Sequence, residues 1–229
     1  VIVTHEHLPW NCYRYKKNFN TKFILILRDP RASIAGSIRY LKRFERYLTG
    51  YQLDIIFTTF LSAYSLHKQT SKKNLYVIKN ENMNLNLKKE MKKLSNWMGV
   101  IYDKSLLNST FLGKEWKGES SYISKGDLKK KLPKNYYNIK NVKKRWIKVL
   151  NNEQIKQIET VFKEIFQDFN YKKKYNENFI NALRNTFRFI INVDFKSNLR
   201  DSNIIRLSKD FIRRLLLIKF NKLRDYFLI

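Results

Sequence analysis

An α/β layer fold is the architecture the sequence predicts, and three observations predict it. Two short apolar runs, Phe23–Leu27 and Asn74–Lys79, read as strands. Between and after them lie long stretches with apolar residues at helical spacing. The resulting order of strand, helix, helix, strand, helix suits a sheet layered with helices.

Taken in order, residues 1–22 are mixed in character and read as loop-like. Phe23–Leu27 (FILIL) alternates nothing, as expected of a strand buried on both faces. Asp29 and Pro30 then suit the N-cap and first position of a helix. Ile34, Ile38, Leu41 and Leu48 carry that helix forward, with Gly50 read as its stop. Residues 52–70 form a second helical stretch, NLYVIK a second strand, and Leu85–Met98 a third helix closed by Gly99. From Ile101 to Asn138 the signal is loop-rich, with Pro133 as a breaker. Val142–Leu150 and Gln154–Phe169 read as helices. Beyond Tyr175, Ile204, Leu207, Phe211, Leu215 and Ile218 make an apolar stripe, with Leu216, Phe220, Leu223 and Phe227 beside it. The expected division is an α/β domain over 1–175 and a basic amphipathic helical extension over 176–229.

The chain has 229 residues and a formal net charge of +28. That excess favours an anionic partner, whether nucleic acid, an acidic membrane, or a phosphorylated or sulfated small molecule. Compositional drift toward Lys, Asn and Ile is the alternative source of the charge. Residues 121–150 hold ten Lys or Arg against one Asp, the most basic block. Single Cys12 excludes an intrachain disulfide and fits a reducing compartment, so a cytoplasmic location is expected. Val1–Trp10 carries His, Glu and Pro where a signal peptide would need an apolar core. No segment reaches about 18 uncharged apolar residues, the length needed to span a bilayer.

The stretch FILILRDPRASIAGSIRYL carries the most chemistry. A buried strand feeding a capped helix brings the helix N-terminus, with its unpaired amides and positive dipole end, to the sheet edge. Arg28 ends the strand and offers two parallel donors to a phosphate. Ser33 and Ser37 lie four apart and share a helix face. The segment is suited to holding a phosphate. The competing reading is an arginine paired with a carboxylate, and serines that only permit close helix packing.

This stretch resembles the 3′-phosphate-binding segment of the sulfotransferases that use 3′-phosphoadenosine 5′-phosphosulfate. Arg28 falls on that family's strand-ending arginine. The family's helix serine, eight residues on, is Gly36 here, with Ser37 and Ser33 the nearest hydroxyls. VTHEHLPW resembles the family's Lys-Thr-His-Leu-Pro segment, whose His is the base for the acceptor hydroxyl. Thr4-His5 matches one half and His7-Leu8-Pro9 the other, while Val3 or Glu6 stands where the Lys would be. Glu81, in NLYVIKNENMNLNLKKEMKKLSNWMGV, takes the family's Glu position, and STFLGKEWKGESSY is similar to a Trp-containing loop of bacterial members. VKKRWIKVLNNEQIKQIETVF resembles the segment after the family's Arg-Lys-Gly loop. Aligning its Trp with Trp146 puts Lys140 on the loop lysine and Ile139 on the arginine. The similarity covers about residues 1–172.

The resemblance implies a P-loop NTPase-like parallel sheet flanked by helices, lacking the N-terminal portion, with a helical extension at the C-terminal end. It implies sulfuryl transfer to a hydroxyl or amine of a small-molecule or glycan acceptor. His5 or His7 would be the base. Arg28, Ser37, Ser33 and Lys140 would bind the cofactor, with Arg145 adding potential, and no metal would be needed. Lys143 and Lys144 suit a solvated surface. Glu81 suits a structural pairing, His67 a structural place in its helix, and Trp116 and Trp146 the core. The family's Ser-Gly-Thr loop, which grips the 5′-phosphosulfate, has no counterpart: Gly113–Ser120 (GKEWKGES) has Glu119 where a phosphate loop needs Lys. Two other readings remain, a basic nucleic-acid-binding protein and a non-catalytic relative that binds a nucleotide or glycan. From Asn176 to Ile229, eleven Lys or Arg face five Asp or Glu, which makes peripheral contact with an anionic membrane a further reading beside helix packing. Because the phosphosulfate loop is missing, the 229-residue chain is expected to transfer little or no labelled sulfuryl group to acceptors, as a radiolabel transfer assay would measure.

Overall fold

The computed structural model describes residues 5–6, 9–42, 50–108, 110–111, 114–115, 142 and 145–190. The fold is mixed α/β and mostly helical. A 3-10 turn, Pro9–Asn11, leads into α1 (Cys12–Asn18), then β1 (Phe23–Leu27), α2 (Pro30–Lys42), α3 (Gly50–Gln69), β2 (Leu75–Lys79) and α4 (Asn80–Met98). A 3-10 turn, Lys104–Leu107, precedes β3 (Thr110–Phe111) and β4 (Lys114–Glu115), which pair antiparallel. A further 3-10 turn, Arg145–Lys148, is followed by α5 (Asn152–Val161), α6 (Lys163–Asp168) and α7 (Phe179–Ile190).

β1 and β2 pair in parallel, Phe23 opposite Leu75 through Leu27 opposite Lys79. The α2–α3 crossover between them supplies the connection a parallel pair requires. Side chains alternate faces along a strand. One face, with Leu27 and Leu75, is buried toward the helices. The other carries Ile24, Ile26, Tyr76 and Ile78. There α4 covers β2: Ile78 is buried and the Tyr76 ring lies 5.4 Å from Trp97. Ile24 and Ile26 stay 45% and 59% exposed, so β1 is not buried on both faces as its composition suggested. The reason is that the sheet has two strands among the described residues, and α4 reaches over only one of them.

The main core is helical. α2 gives Ile34, Ala35 and Leu41, and α3 gives Leu53, Phe57, Phe60 and Leu61. Ile155 and Ile158 of α5, Ile165 and Phe166 of α6, and Phe189 of α7 complete it, with Trp146 and Leu150. Phe162 sits between α5 and α6 with its ring 5.8 Å from Phe57, 5.2 Å from Phe60 and 6.1 Å from Phe189. Its φ of −99° and ψ of 23° break what reads in sequence as one helix, Gln154–Phe169. Both backbone groups of Phe162 stay hydrogen-bonded, its amide to Ile158 and its carbonyl to the Phe166 amide, while burying the ring stabilises by about 1.5–3 kcal/mol.

Several other expectations change. Residues 12–18 are helical rather than loop. Gly50, read as the stop of the preceding helix, lies in α3, and the expected continuation of α2 through Leu48 lies outside the described residues. α4 starts at Asn80, five residues before the apolar periodicity does; the Asn84 amide donates to the Asn80 carbonyl at 2.9 Å, and Asn86 is kinked at φ −145°. Asparagines that bond local backbone weaken the helical signal. Among the described residues of Val142–Leu150 there is a short 3-10 turn, Arg145–Lys148, whose Trp146 is drawn into the core. Other expectations hold. Asp29 Oδ1 accepts from the Arg31 amide as an N-cap, and Gly99 ends α4 at φ 74°, where its missing Cβ is needed. Asn151 and Gln154 form a full capping box on α5. The stripe from Ile204 to Phe227 and the basic loop around Pro133 lie outside the described residues. No described helix is long and apolar enough to cross a membrane.

One buried ion cluster joins these layers. Arg31, 5% exposed, pairs with Asp29 at 2.6 Å and with Glu159 of α5. Glu159 also accepts from the Lys174 and Tyr175 amides at 2.8–2.9 Å. Removing one partner leaves a buried charge uncompensated, so Glu159→Gln is expected to lower stability by about 3 kcal/mol in urea unfolding. Breaking the half-exposed Lys68–Asp168 pair, 2.7 Å apart, with Lys68→Ala should cost less than about 1 kcal/mol.

Candidate functional site

The candidate site lies at the C-terminal edge of the β1–β2 pair, where Arg28 follows β1 and Lys79 ends β2. Helices α2 and α4 both start there. The amides at the α2 start are already engaged by carboxylates. Glu81 Oε1 accepts from the Asp29 amide at 3.0 Å, and Asp29 Oδ1 accepts from the Arg31 amide at 2.9 Å. Pro30 has no N–H. Two of the amides at the helix end where an anion was expected, those of Asp29 and Arg31, are thus taken by carboxylates.

Three cations meet at this edge, and two of them have structural partners. Arg31 is enclosed by Asp29 and Glu159 and lies over two rings, 4.3 Å from Trp146 and 4.7 Å from Phe166. Burial alone would favour loss of its proton, but the two carboxylates outweigh that and hold it more firmly charged than usual. Lys79 donates to the Phe169 carbonyl and sits 4.9 Å over the Tyr171 ring. Arg28 differs. It is half-buried, and no ion pair or hydrogen bond to a described residue holds its guanidinium. Its Nη1 lies 3.6 Å from where a Cβ on Gly36 would stand. The guanidinium thus reaches the second turn of α2. Ser33 and Ser37 flank Gly36 on that helix, the Ser37 hydroxyl donating to the Ser33 carbonyl at 3.3 Å.

Tyr171 closes the floor. Its hydroxyl donates to Glu81 Oε2 at 3.1 Å. Burial, and then the Glu81 and Asp29 carboxylates, push its ionisation well above the ordinary phenol range, while Arg28 pulls the other way. Glu81 therefore pairs structurally, bridging β1 to Tyr171.

Of the residues singled out in the sequence, Arg28 lies beside Gly36, and Ser33 and Ser37 are on the same helix as Gly36. His5 is exposed, and the side chain of Arg145 and all of His7 and Lys140 lie outside the described residues. Trp146 is a core residue, as expected, and His67 packs 4.7 Å from Phe169, its ionisation lowered by burial and by Lys68. The roles of Arg31, Tyr171 and Lys79 were not read from sequence. Arg31 did leave a signal: a cation in the first turn opposes the helix dipole and needs a carboxylate to offset it. Among the described residues no three His, Cys, Asp or Glu side chains are grouped to hold a metal. No protein-family model, curated protein or solved structure matches the chain.

The shifted phenol makes stability depend on pH. Folded Tyr171 ionises at a higher pH than unfolded tyrosine, near 10. Above that pH the unfolded state binds fewer protons, so stability is full below about pH 10 and falls as pH rises. Urea unfolding between pH 9 and 11.5 should show a steeper fall for the native chain than for Tyr171→Phe, with a difference of up to about 1.4 kcal/mol per pH unit.

Proposed function

We propose that this chain is a sulfotransferase-like domain that binds the 3′-phosphate of 3′-phosphoadenosine 5′-phosphosulfate with Arg28 and the Ser33–Gly36–Ser37 face of α2. The observation carrying this reading is the Arg28 guanidinium beside Gly36, unpaired among the described residues. Position 36 is where the resemblance places the second phosphate-binding side chain, and nothing in sequence alone required the two to be neighbours. A fork of guanidinium donors meets phosphate oxygens in pairs; the Ser33 hydroxyl adds a donor without charge, and the Ser37 hydroxyl adds another by turning from the Ser33 carbonyl. The fold that goes with this reading is the P-loop NTPase-like sheet.

The cofactor, when bound, supplies the sulfuryl group. This chain's part is to anchor the nucleotide through Arg28, to shield the anion from Glu81 by engaging that carboxylate with the Asp29 amide and Tyr171, and to offer His5 or His7 as the base for an acceptor hydroxyl. Lys140 and Arg145 would add positive potential. The residues for the 5′-phosphosulfate do not fit, since Glu119 stands where a lysine is needed. A relative that binds the nucleotide without transferring sulfate is the second reading, favoured by that mismatch.

Calorimetry with adenosine 3′,5′-bisphosphate tests the site. Arg28→Ala should weaken binding roughly 10- to 100-fold, the worth of charge-assisted hydrogen bonds. Its stability should change by less than about 0.5 kcal/mol, because the side chain is unpaired and partly exposed. Gly36→Ser should tighten binding several-fold, its new Cβ having ordinary contact distance to Arg28. Equal affinity for adenosine 5′-monophosphate, or undiminished binding in Arg28→Ala, would overturn the reading.

A further inference from the structure

The pole of the molecule opposite the candidate site is built differently. α4 runs back along the sheet for 19 residues, about 28 Å, from the C-terminal edge of the strands to their N-terminal edge. There Gly99 turns the chain and the next residues project outward. Met98, Val100 and Leu106 are each 40–50% exposed, and Ile101 is 95% exposed. Single exposed apolar residues are ordinary. Four within nine residues, at one end of the fold, are an apolar tip.

Lysines surround that tip. Lys22 lies 5.1 Å over the Trp97 ring and donates to the Trp97 carbonyl at 3.5 Å, while the Trp97 indole donates to the Lys72 carbonyl at 3.0 Å. These contacts bring the chain before β1 and the turn before β2 to the end of α4, and place Lys72 and Lys73 there. Lys92 stands 5.6 Å over the Tyr102 ring, Lys93 follows it on the exposed face, and Lys104 opens the next turn. The acids nearby are occupied. Asp103 caps its own turn through the Ser105 amide at 2.7 Å, and Glu90 is buried and paired with Lys93 at 3.3 Å.

We propose that this pole, the Met98–Ile101 tip with Leu106 inside its lysine collar, docks on an anionic lipid bilayer. Charge complementarity selects the occupant. An apolar protein groove would cover the tip without using six cations, whereas a bilayer with anionic headgroups takes the apolar side chains below the headgroup level and the ammonium groups at it. Lysine stems suit this, since they lie along apolar surface with their charge at the polar boundary. The inference stands apart from the nucleotide reading, because the tip and Arg28 are at opposite ends of α4 and of the strands. Docking this way leaves the candidate site facing away from the membrane.

The test uses the full chain with Cys12→Ser and Val100→Cys, labelled at position 100 with an environment-sensitive dye. Vesicles of phosphatidylcholine alone are compared with vesicles containing one third phosphatidylserine. Binding should require phosphatidylserine, weaken with added salt, and shift the dye emission to the blue. Ile101→Asp should bind at least fivefold more weakly, and Lys92→Gln with Lys104→Gln, which leaves the Lys93–Glu90 pair intact, roughly tenfold more weakly, given the attraction expected per lysine near such a surface. Both variants should keep the native thermal midpoint. A dye that stays in water on bound protein would overturn the proposal by assigning the attachment to another basic region. So would unchanged binding by Ile101→Asp, or a concentration-dependent dimer that Ile101→Asp dissolves, which would make a second copy the occupant.

Discussion

The guanidinium of Arg31 is the contact on which the rest of the structure leans. It starts α2, reaches α5 through Glu159, stacks on Trp146 and Phe166, and by way of Glu159 fixes the backbone at Lys174 and Tyr175. Burying a charge in this way has a desolvation cost that only near-complete pairing offsets. Here the pairing is near-complete, with two carboxylates and two ring faces. Hydrophobic burial holds the helices together, but it is non-directional. The ion cluster supplies the direction, setting which face of α2 meets α5.

That arrangement also decides which cation at the sheet edge can do chemistry. Arg28 and Arg31 are three residues apart, and by composition alone they are equivalent. One is enclosed by carboxylates, the other lies along the helix beside Gly36. The same carboxylates close the helix end. The Asp29 and Arg31 amides at the tip of α2 are thus occupied, while the Arg28 side chain lies on its flank. Glu81 and Tyr171 form the boundary between the two regions, each satisfying the other.

Helices and strands with clean periodicity were legible in the sequence: β1, β2, α3 and the body of α4 lie where the apolar pattern puts them. What local pattern could not report was set by distant contacts. The break at Phe162 follows from rings on α3 and α7. The early start of α4 is hidden by asparagines that weaken the helical signal. The exposure of Ile24 and Ile26 depends on how many strands flank them, a number no five-residue run encodes. At the site, Arg28 was legible because a strand-ending arginine before a capped helix is an unusual pattern. The plugging of the helix end was not, because Glu81 lies 52 residues away in sequence.

The half-covered ribbon of β1 has a bearing on how this protein behaves in bulk. Ile24 and Ile26, 45% and 59% exposed, are an apolar surface on which copies of the chain can meet. Net charge opposes such meetings, and this chain carries +28 of it. Mutual repulsion between copies reaches only about 10 Å at 0.1 M ionic strength and shrinks as salt is added. Colloidal behaviour should thus be governed by electrolyte: dispersed in dilute buffer, and prone to clumping in brine.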